Sequence, residues 1–199
     1  MRMEASARVH FHIAANCLED IVSASHLVAR TLALGCKILL CGNGGSAADC
    51  QHMAAELVSC LTQDFKRPGL AAIALTTDSS ILTAYANDFG YEGVFARQVE
   101  ALGRPGDLLI GISTSGGSKN VLRAINIARQ KEMTVMVLCG EGGSMADVAD
   151  VAVRVPSRDT AIIQQAHLSV EHLVCHLAER MLFGNDETQP EKSQQLRAY

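Results

Sequence analysis

Five short apolar runs alternate along this chain with segments of helical periodicity, and that alternation limits the folds open to it. The runs are Lys37–Cys41, Leu70–Leu75, Leu108–Ser113, Thr134–Cys139 and Val151–Val155. Helical spacing marks Ala47–Leu61, Ser79–Ala86, Val94–Leu102, Lys119–Lys131 and Gln164–Leu182. Turn-forming stretches (Arg67-Pro68-Gly69, Arg104-Pro105-Gly106-Asp107 and Gly140–Gly143) separate them. Short apolar strands interleaved with helices build a mainly parallel sheet covered on both faces, with right-handed crossovers. The expected fold is α/β: a doubly wound, mainly parallel five-stranded sheet flanked by helices. Ahead of it, residues 5–34 keep helical spacing without Gly or Pro and read as one long helix or two short ones. The chain thus divides into an N-terminal helical segment (1–34), a sheet domain (35–183) and a polar C-terminal tail (184–199).

Composition excludes several classes of function. A net charge of −4 over 199 residues argues against a nucleic-acid surface. No apolar stretch is long enough to span a membrane. The first residues are interrupted by Arg8, His10, His12 and Glu19 and lack the apolar core of a signal peptide, so a cytoplasmic location is expected. Seven scattered cysteines without a CxxC pair read as reduced thiols, mostly buried.

Two glycine-serine turns stand out. The first, Gly42-Asn43-Gly44-Gly45-Ser46, follows the first strand and opens a helix. Free N–H groups and the helix dipole make such a turn an anion site. The second, Ser113-Thr114-Ser115-Gly116-Gly117-Ser118, places four hydroxyls in six residues after the third strand and before another helix. Ser and Gly also build ordinary turns. Two such turns at equivalent places, however, can face one pocket at the C-terminal ends of the strands. The first matches G-x-G-x-x-A, but no acidic residue ends the next strand at the spacing a dinucleotide needs. A Walker loop is excluded by the absence of GK[ST], so no nucleotide cofactor is expected.

His52 and Glu56, four residues apart, share one helix face directly after the first turn. Such a pair suits a metal, general acid–base work or an ordinary surface contact. The last helix carries Gln164, His167, His172 and His176 while it must also bury Leu168, Leu173 and Leu177, which suggests a lined cleft. Gln164 and His172 lie about 12 Å apart along an ideal helix. Either Gln164 precedes the helix, or the two serve different subunits.

The segments CGNGGSAAD, NDFGY (Asn87–Tyr91), GISTSGGS and IQQAHLSVEH (163–172) occur in matching order over about residues 30–183. Together they resemble the bacterial sedoheptulose 7-phosphate (phosphoheptose) isomerase family of the sugar isomerase (SIS) superfamily. The resemblance implies sugar binding at Asn43, Gly44, Gly45 and Ser46, substrate contacts from Asn87 and Asp88, and phosphate binding at Ser113, Thr114, Ser115 and Ser118. It also implies substrate and zinc contacts at Gln164 and Glu56, zinc ligation by His52, Glu56, Gln164 and His172, and acid–base catalysis by Glu56 and His172. A homotetramer with active sites between subunits would follow, making D-glycero-D-manno-heptose 7-phosphate for nucleotide-heptose and surface-glycan synthesis. The sequence departs from the family pattern at Cys60 (usually Arg), Ala161 (usually acidic) and Gly117 (usually Asn). Two alternatives remain open: a SIS relative that binds the replication initiator DnaA, which lacks the Glu at 56 and the His at 172, and an isomerase or sensor for another sugar phosphate.

Overall fold

All five apolar runs pair into one parallel sheet. The computed structural model describes residues 2–184; apart from Gly184, the expected polar tail lies outside the described residues. The strands are β1 (Ile38–Gly42), β2 (Ala72–Ala74), β3 (Leu108–Ser113), β4 (Thr134–Cys139) and β5 (Val151–Arg154), in the order β2-β1-β3-β4-β5. Every neighbouring pair is parallel. Residues of β1 and β3 are buried throughout, as strands covered on both faces must be. The edge strand β2 is shorter than the expected Leu70–Leu75. The Leu70 N–H donates to Leu57 O of a neighbouring helix, whereas Leu75 N–H still donates to Leu40 O of β1.

Among the described residues, seven α-helices surround the sheet: α1 (Arg2–Asn16), α2 (Leu18–Ala33), α3 (Gly45–Val58), α4 (Ser79–Phe89), α5 (Val94–Leu102), α6 (Lys119–Gln130) and α7 (Thr160–Phe183). Alternate strand residues feed two cores. Ile38, Leu40, Leu108, Ile110 and Ile112 pack with α2, α3 and α7, while Leu39, Cys41, Leu109, Val135 and Val137 pack with α5 and α6. The N-terminal segment is two helices, with the break at Cys17 (φ −113°, ψ 8°). Buried Cys17 packs toward β5, its thiol donating to Arg154 O at 3.7 Å. The bend lets both α1 and α2 lie against α7.

Two helix starts place residues of interest. Helix α3 begins at Gly45, so Ser46 already belongs to its first turn. Helix α7 begins at Thr160 because the Asp159 carboxylate accepts from the N–H groups of Ala161 (3.0 Å) and Ile162 (3.4 Å). Gln164 therefore lies inside α7, which removes the reading that placed it before the helix. The chain leaves β1 toward β2 but leaves β3 toward β4, so the sheet's switch point falls between β1 and β3, which pair as far as Gly42 and Ile112. A crevice at this position is where ligands of open α/β sheets bind. Among the described residues no helix is long and apolar enough to cross a membrane. The seven cysteines are unpaired thiols, five buried and two half-buried.

Candidate active site

Both glycine-serine turns flank the switch point and are tied to each other. Asn43 Nδ2 donates to Asn120 Oδ1 at 2.9 Å, and Asn120 Nδ2 donates back to Asn43 Oδ1 at 2.8 Å. Buried Asn120 also accepts from Val121 N–H at 3.0 Å, which fixes it to the start of α6. The Tyr91 hydroxyl adds a 3.0 Å bond to Asn43 Oδ1. Gly44 adopts φ +57°, a conformation that favours glycine. A side chain at Gly45 would displace the end of Gln164, since a Cβ would stand 2.2 Å from Gln164 Nε2. Gln164 of α7 thus lies directly on the first turn of α3.

In the second turn, Ser113 Oγ is 2.8 Å from Ser118 Oγ and 3.3 Å from Ser115 Oγ. Gly117 N–H donates to Ser115 Oγ at 3.3 Å, and half-buried Thr114 completes the turn. Ser118 is the N-cap of α6, yet its side chain makes no capping bond. Hydroxyls and a helix N-terminus together favour an anion. A Cβ at Gly117 would meet nothing nearer than Ser115 O at 3.9 Å, so the turn has room for a side chain at this position.

Helices α3 and α7 run side by side in the same direction: Gly45 meets Gln164 near their starts and His52 meets His172 farther along. His52 Nε2 stands 2.8 Å from His172 Nε2 and 3.4 Å from Glu56 Oε1. Donor atoms of His52, Glu56 and His172 lie within 4.8 Å of one another. The second carboxylate oxygen, Glu56 Oε2, is buried without a hydrogen-bond partner. Two facing imidazole nitrogens and the Glu56 carboxylate form a triad able to hold a metal ion, and N and O donors of this kind suit zinc. Gln164 does not join them. It lies on Gly45, about two helical turns from His52. Within one chain, three of the four expected ligands therefore come together.

Other expected residues fall elsewhere. Asn87 and Asp88 sit on the exposed end of α4, where Asn87 Nδ2 donates to Asp88 Oδ1 at 2.8 Å. Cys60 is a half-buried thiol just beyond α3, and Ala161 is exposed in the first turn of α7.

The lined cleft expected along α7 is corrected. Its buried stripe runs through Ile163, Ala166, His167, Val170, Glu171, Val174, Cys175 and Ala178. This i, i+3/i+4 pattern carries His167 and Glu171 into the core. Leu168 and Leu173 are instead 37 % and 45 % exposed, and His176 is exposed. Burial lowers the pKa of His167 to about 4, offset only in part by the Cys139 backbone, to which neither ring nitrogen makes a well-formed hydrogen bond. Burial, reinforced by Asp49, raises Glu171 to about 9. Asp49 is itself raised to about 6 by burial, against the opposing pull of His52.

Sequence reasoning gave no role to Asn120 or Tyr91. Asn120 follows the second turn directly, but its partner is 77 residues away, so no local spacing reveals the pair.

Residues 3–138 match the family model of the SIS domain. The chain is 56 % identical over 164 residues to the phosphoheptose isomerase of Maridesulfovibrio salexigens, covering 82 % of this chain and 79 % of that protein. It is also 56 % identical to the phosphoheptose isomerase of Roseiflexus sp., covering 82 % of each. Among solved structures, phosphoheptose isomerase GmhA from Neisseria gonorrhoeae superposes with a TM-score of 0.84 at 43 % identity, covering 89 % of this chain and 95 % of that one. The phosphoheptose isomerase from Francisella tularensis gives 0.86 at 36 % identity, covering 90 % and 95 %.

Proposed function

The chain belongs to the SIS domain family, and we infer that it works there as a phosphoheptose isomerase, converting sedoheptulose 7-phosphate to D-glycero-D-manno-heptose 7-phosphate. Its likeness to named phosphoheptose isomerases over most of its length supports this reading. It does not favour a replication-initiator-binding protein. The geometric observation that carries the chemistry is the Glu56 carboxylate: Oε1 stands 3.4 Å from His52 Nε2, Oε2 is buried and unpartnered, and His172 lies within the same cluster.

Aldose–ketose isomerisation moves a proton between C1 and C2 without any external oxidant. A base at Glu56 takes a proton from C1 of the ketose. The C–H electron pair becomes the C1=C2 bond, and O2 gains a proton. Loss of the O1 proton and return of a proton to C2 leave the aldehyde at C1. His172 serves as the partner acid–base group. Ser113, Thr114, Ser115 and Ser118 hold the phosphate, supported by their place at the N-terminus of α6. Asn43, Gly44, Gly45, Ser46 and Gln164 position the sugar chain.

His52, Glu56 and His172 would hold zinc, which supplies positive charge to stabilise enediolate oxygens. We place the sites between subunits of a homotetramer, where Gln164 of one chain could join the triad of another. Two features support this. Leu168 and Leu173 flank the triad on an exposed face of α7. Asn87 and Asp88, both exposed, are hydrogen-bonded through their side chains to each other and to no other site residue among the described residues. Seven unpaired cysteines suit a cytoplasmic setting.

The test is direct. Purified protein is incubated with sedoheptulose 7-phosphate and with six- and five-carbon ketose phosphates, and aldose formation is followed by NMR. Turnover of the heptulose is expected to dominate; none with it, or clear preference for a shorter sugar, would overturn the reading.

A further inference from the structure

Arg67 lies in the loop between α3 and β2, outside both glycine-serine turns and the triad, and its side chain is fully buried. Its guanidinium has five N–H donors, and the surrounding acceptors account for all of them. Nε and Nη2 both donate to Glu179 Oε1 of α7, the first at 2.7 Å. Nη2 also donates to Glu56 O at 2.7 Å. Nη1 donates to Leu57 O at 2.8 Å and Pro68 O at 2.9 Å, with Ser59 O farther off at 3.4 Å. Glu179 is as deeply buried as its partner, with only 3 % of its side chain exposed.

A guanidinium is the usual side chain neither for ending a helix nor for filling a core. Burying the charge pair is costly, and apolar residues often stabilise as well. What the fork supplies is direction. It takes carbonyls at the C-terminal end of α3, where a cation is also favoured by the helix dipole, and fastens them to a carboxylate on α7. One of those carbonyls belongs to Glu56 itself. Glu179 stands seven residues, about two turns, beyond His172 on the same helix. The clamp therefore joins the two helices that carry the triad, at the end opposite the Gln164–Gly45 contact.

We propose that Arg67 and Glu179 are positioning residues of the isomerase: their fork sets the register of α3 against α7 and so aims the Glu56 carboxylate relative to His172. The inference rests on the isomerase reading, so turnover of the unmodified protein is established first; failure there counts against that reading alone. Glu179→Gln and Arg67→Lys are then compared with the unmodified protein well below the thermal midpoint of each. Glu179→Gln keeps the shape and one acceptor for the fork and is expected to fold. Because the clamp touches no substrate-binding turn, kcat is expected to fall tenfold or more with KM changed less than twofold. A cycle with Glu56→Asp separates aim from general loosening. If the clamp acts through Glu56, adding Glu179→Gln to Glu56→Asp lowers kcat by less than threefold. Unchanged kcat in folded Glu179→Gln would overturn the proposal, as would a rise in KM equal to the loss in kcat or full multiplicative loss in the cycle.

Discussion

The two turns at the switch point and the seam between α3 and α7 are built on opposite plans. In the turns nearly every polar group already has a partner: Asn43 and Asn120 bond reciprocally, and Ser113 bonds to Ser115 and Ser118. In the seam, beside the satisfied Arg67–Glu179 fork, several polar groups are left over. Glu56 Oε2, Asp49 Oδ2 and both carboxylate oxygens of Glu171 are buried without partners. An unpaired buried polar group costs on the order of 1–3 kcal/mol. A binding surface that waits for substrate is best held rigid by its own bonds. A reactive surface must keep lone pairs free for a proton or an ion, and the fold carries the cost. Saturated turns thus suit recognition, and the unsaturated seam suits chemistry.

The sharpest way to break this contrast is at Glu56. Glu56→Gln removes the base while keeping the side chain's shape. Turnover should fall at least about 1,000-fold, the range general base catalysis supplies, with the thermal midpoint little changed or raised. Near-normal turnover would remove Glu56 from the chemistry and leave the seam without its purpose.

The next effect measures what a buried histidine costs, at His167, on the core face of α7 toward β4 and away from the triad. Its pKa is about 4 in the fold against about 6.5 unfolded. Between those values the unfolded chain binds a proton that the folded chain does not, so stability falls as the pH drops from about 6.5 through about 4. The loss amounts to on the order of 3 kcal/mol. Glu171, held protonated up to about 9, has the opposite slope: its contribution is lost as the pH rises from its unfolded value toward 9. Urea unfolding of His167→Leu at pH 7 and pH 4 should show a fall smaller than that of the unmodified protein by this amount. Equal falls would mean His167 finds a partner in solution.

For the turns, the prediction concerns affinity. Ser118→Ala removes a hydroxyl facing the expected phosphate and also orphans its bond to Ser113. One bond to a charged group contributes about 1.5–3 kcal/mol, so KM should rise tenfold or more while kcat changes less. A fall in kcat with KM unchanged would mean that the phosphate sits elsewhere.

How much of this was legible depends on sequence distance. Strand runs and the two turns are local patterns, and all five strands lie within a few residues of their expected places. The exception is β2, shortened because Leu70 is drawn to the end of α3, a contact no local pattern encodes. His52 and Glu56 were visible as an i, i+4 pair. Their meeting with His172 across 120 residues was available only through family resemblance. The cleft expected on α7 failed because polarity was taken as a sign of exposure, whereas helical phase put His167 and Glu171 inside and Leu168 and Leu173 outside. Arg67 read as turn punctuation beside Pro68-Gly69, and its burial depends on Glu179, 112 residues away.

The smallest effect separates the interior of the turn network from its rim. Tyr91 and Asn120 both bond to Asn43 Oδ1, at 3.0 Å and 2.8 Å. Asn120 is buried, while Tyr91 is 54 % exposed. Removing the tyrosine hydroxyl leaves an acceptor that water can reach and that keeps its other donor, so Tyr91→Phe should cost less than about 1 kcal/mol and raise KM no more than about threefold. Asn120→Ala, by contrast, strands Asn43 Nδ2 and Val121 N–H and should cost more in both stability and KM. Isothermal unfolding and steady-state kinetics on the two variants side by side give the comparison. Equal losses would mean that Tyr91 is covered in solution, either by substrate or by a neighbouring subunit, and that the rim of this site belongs to its interior.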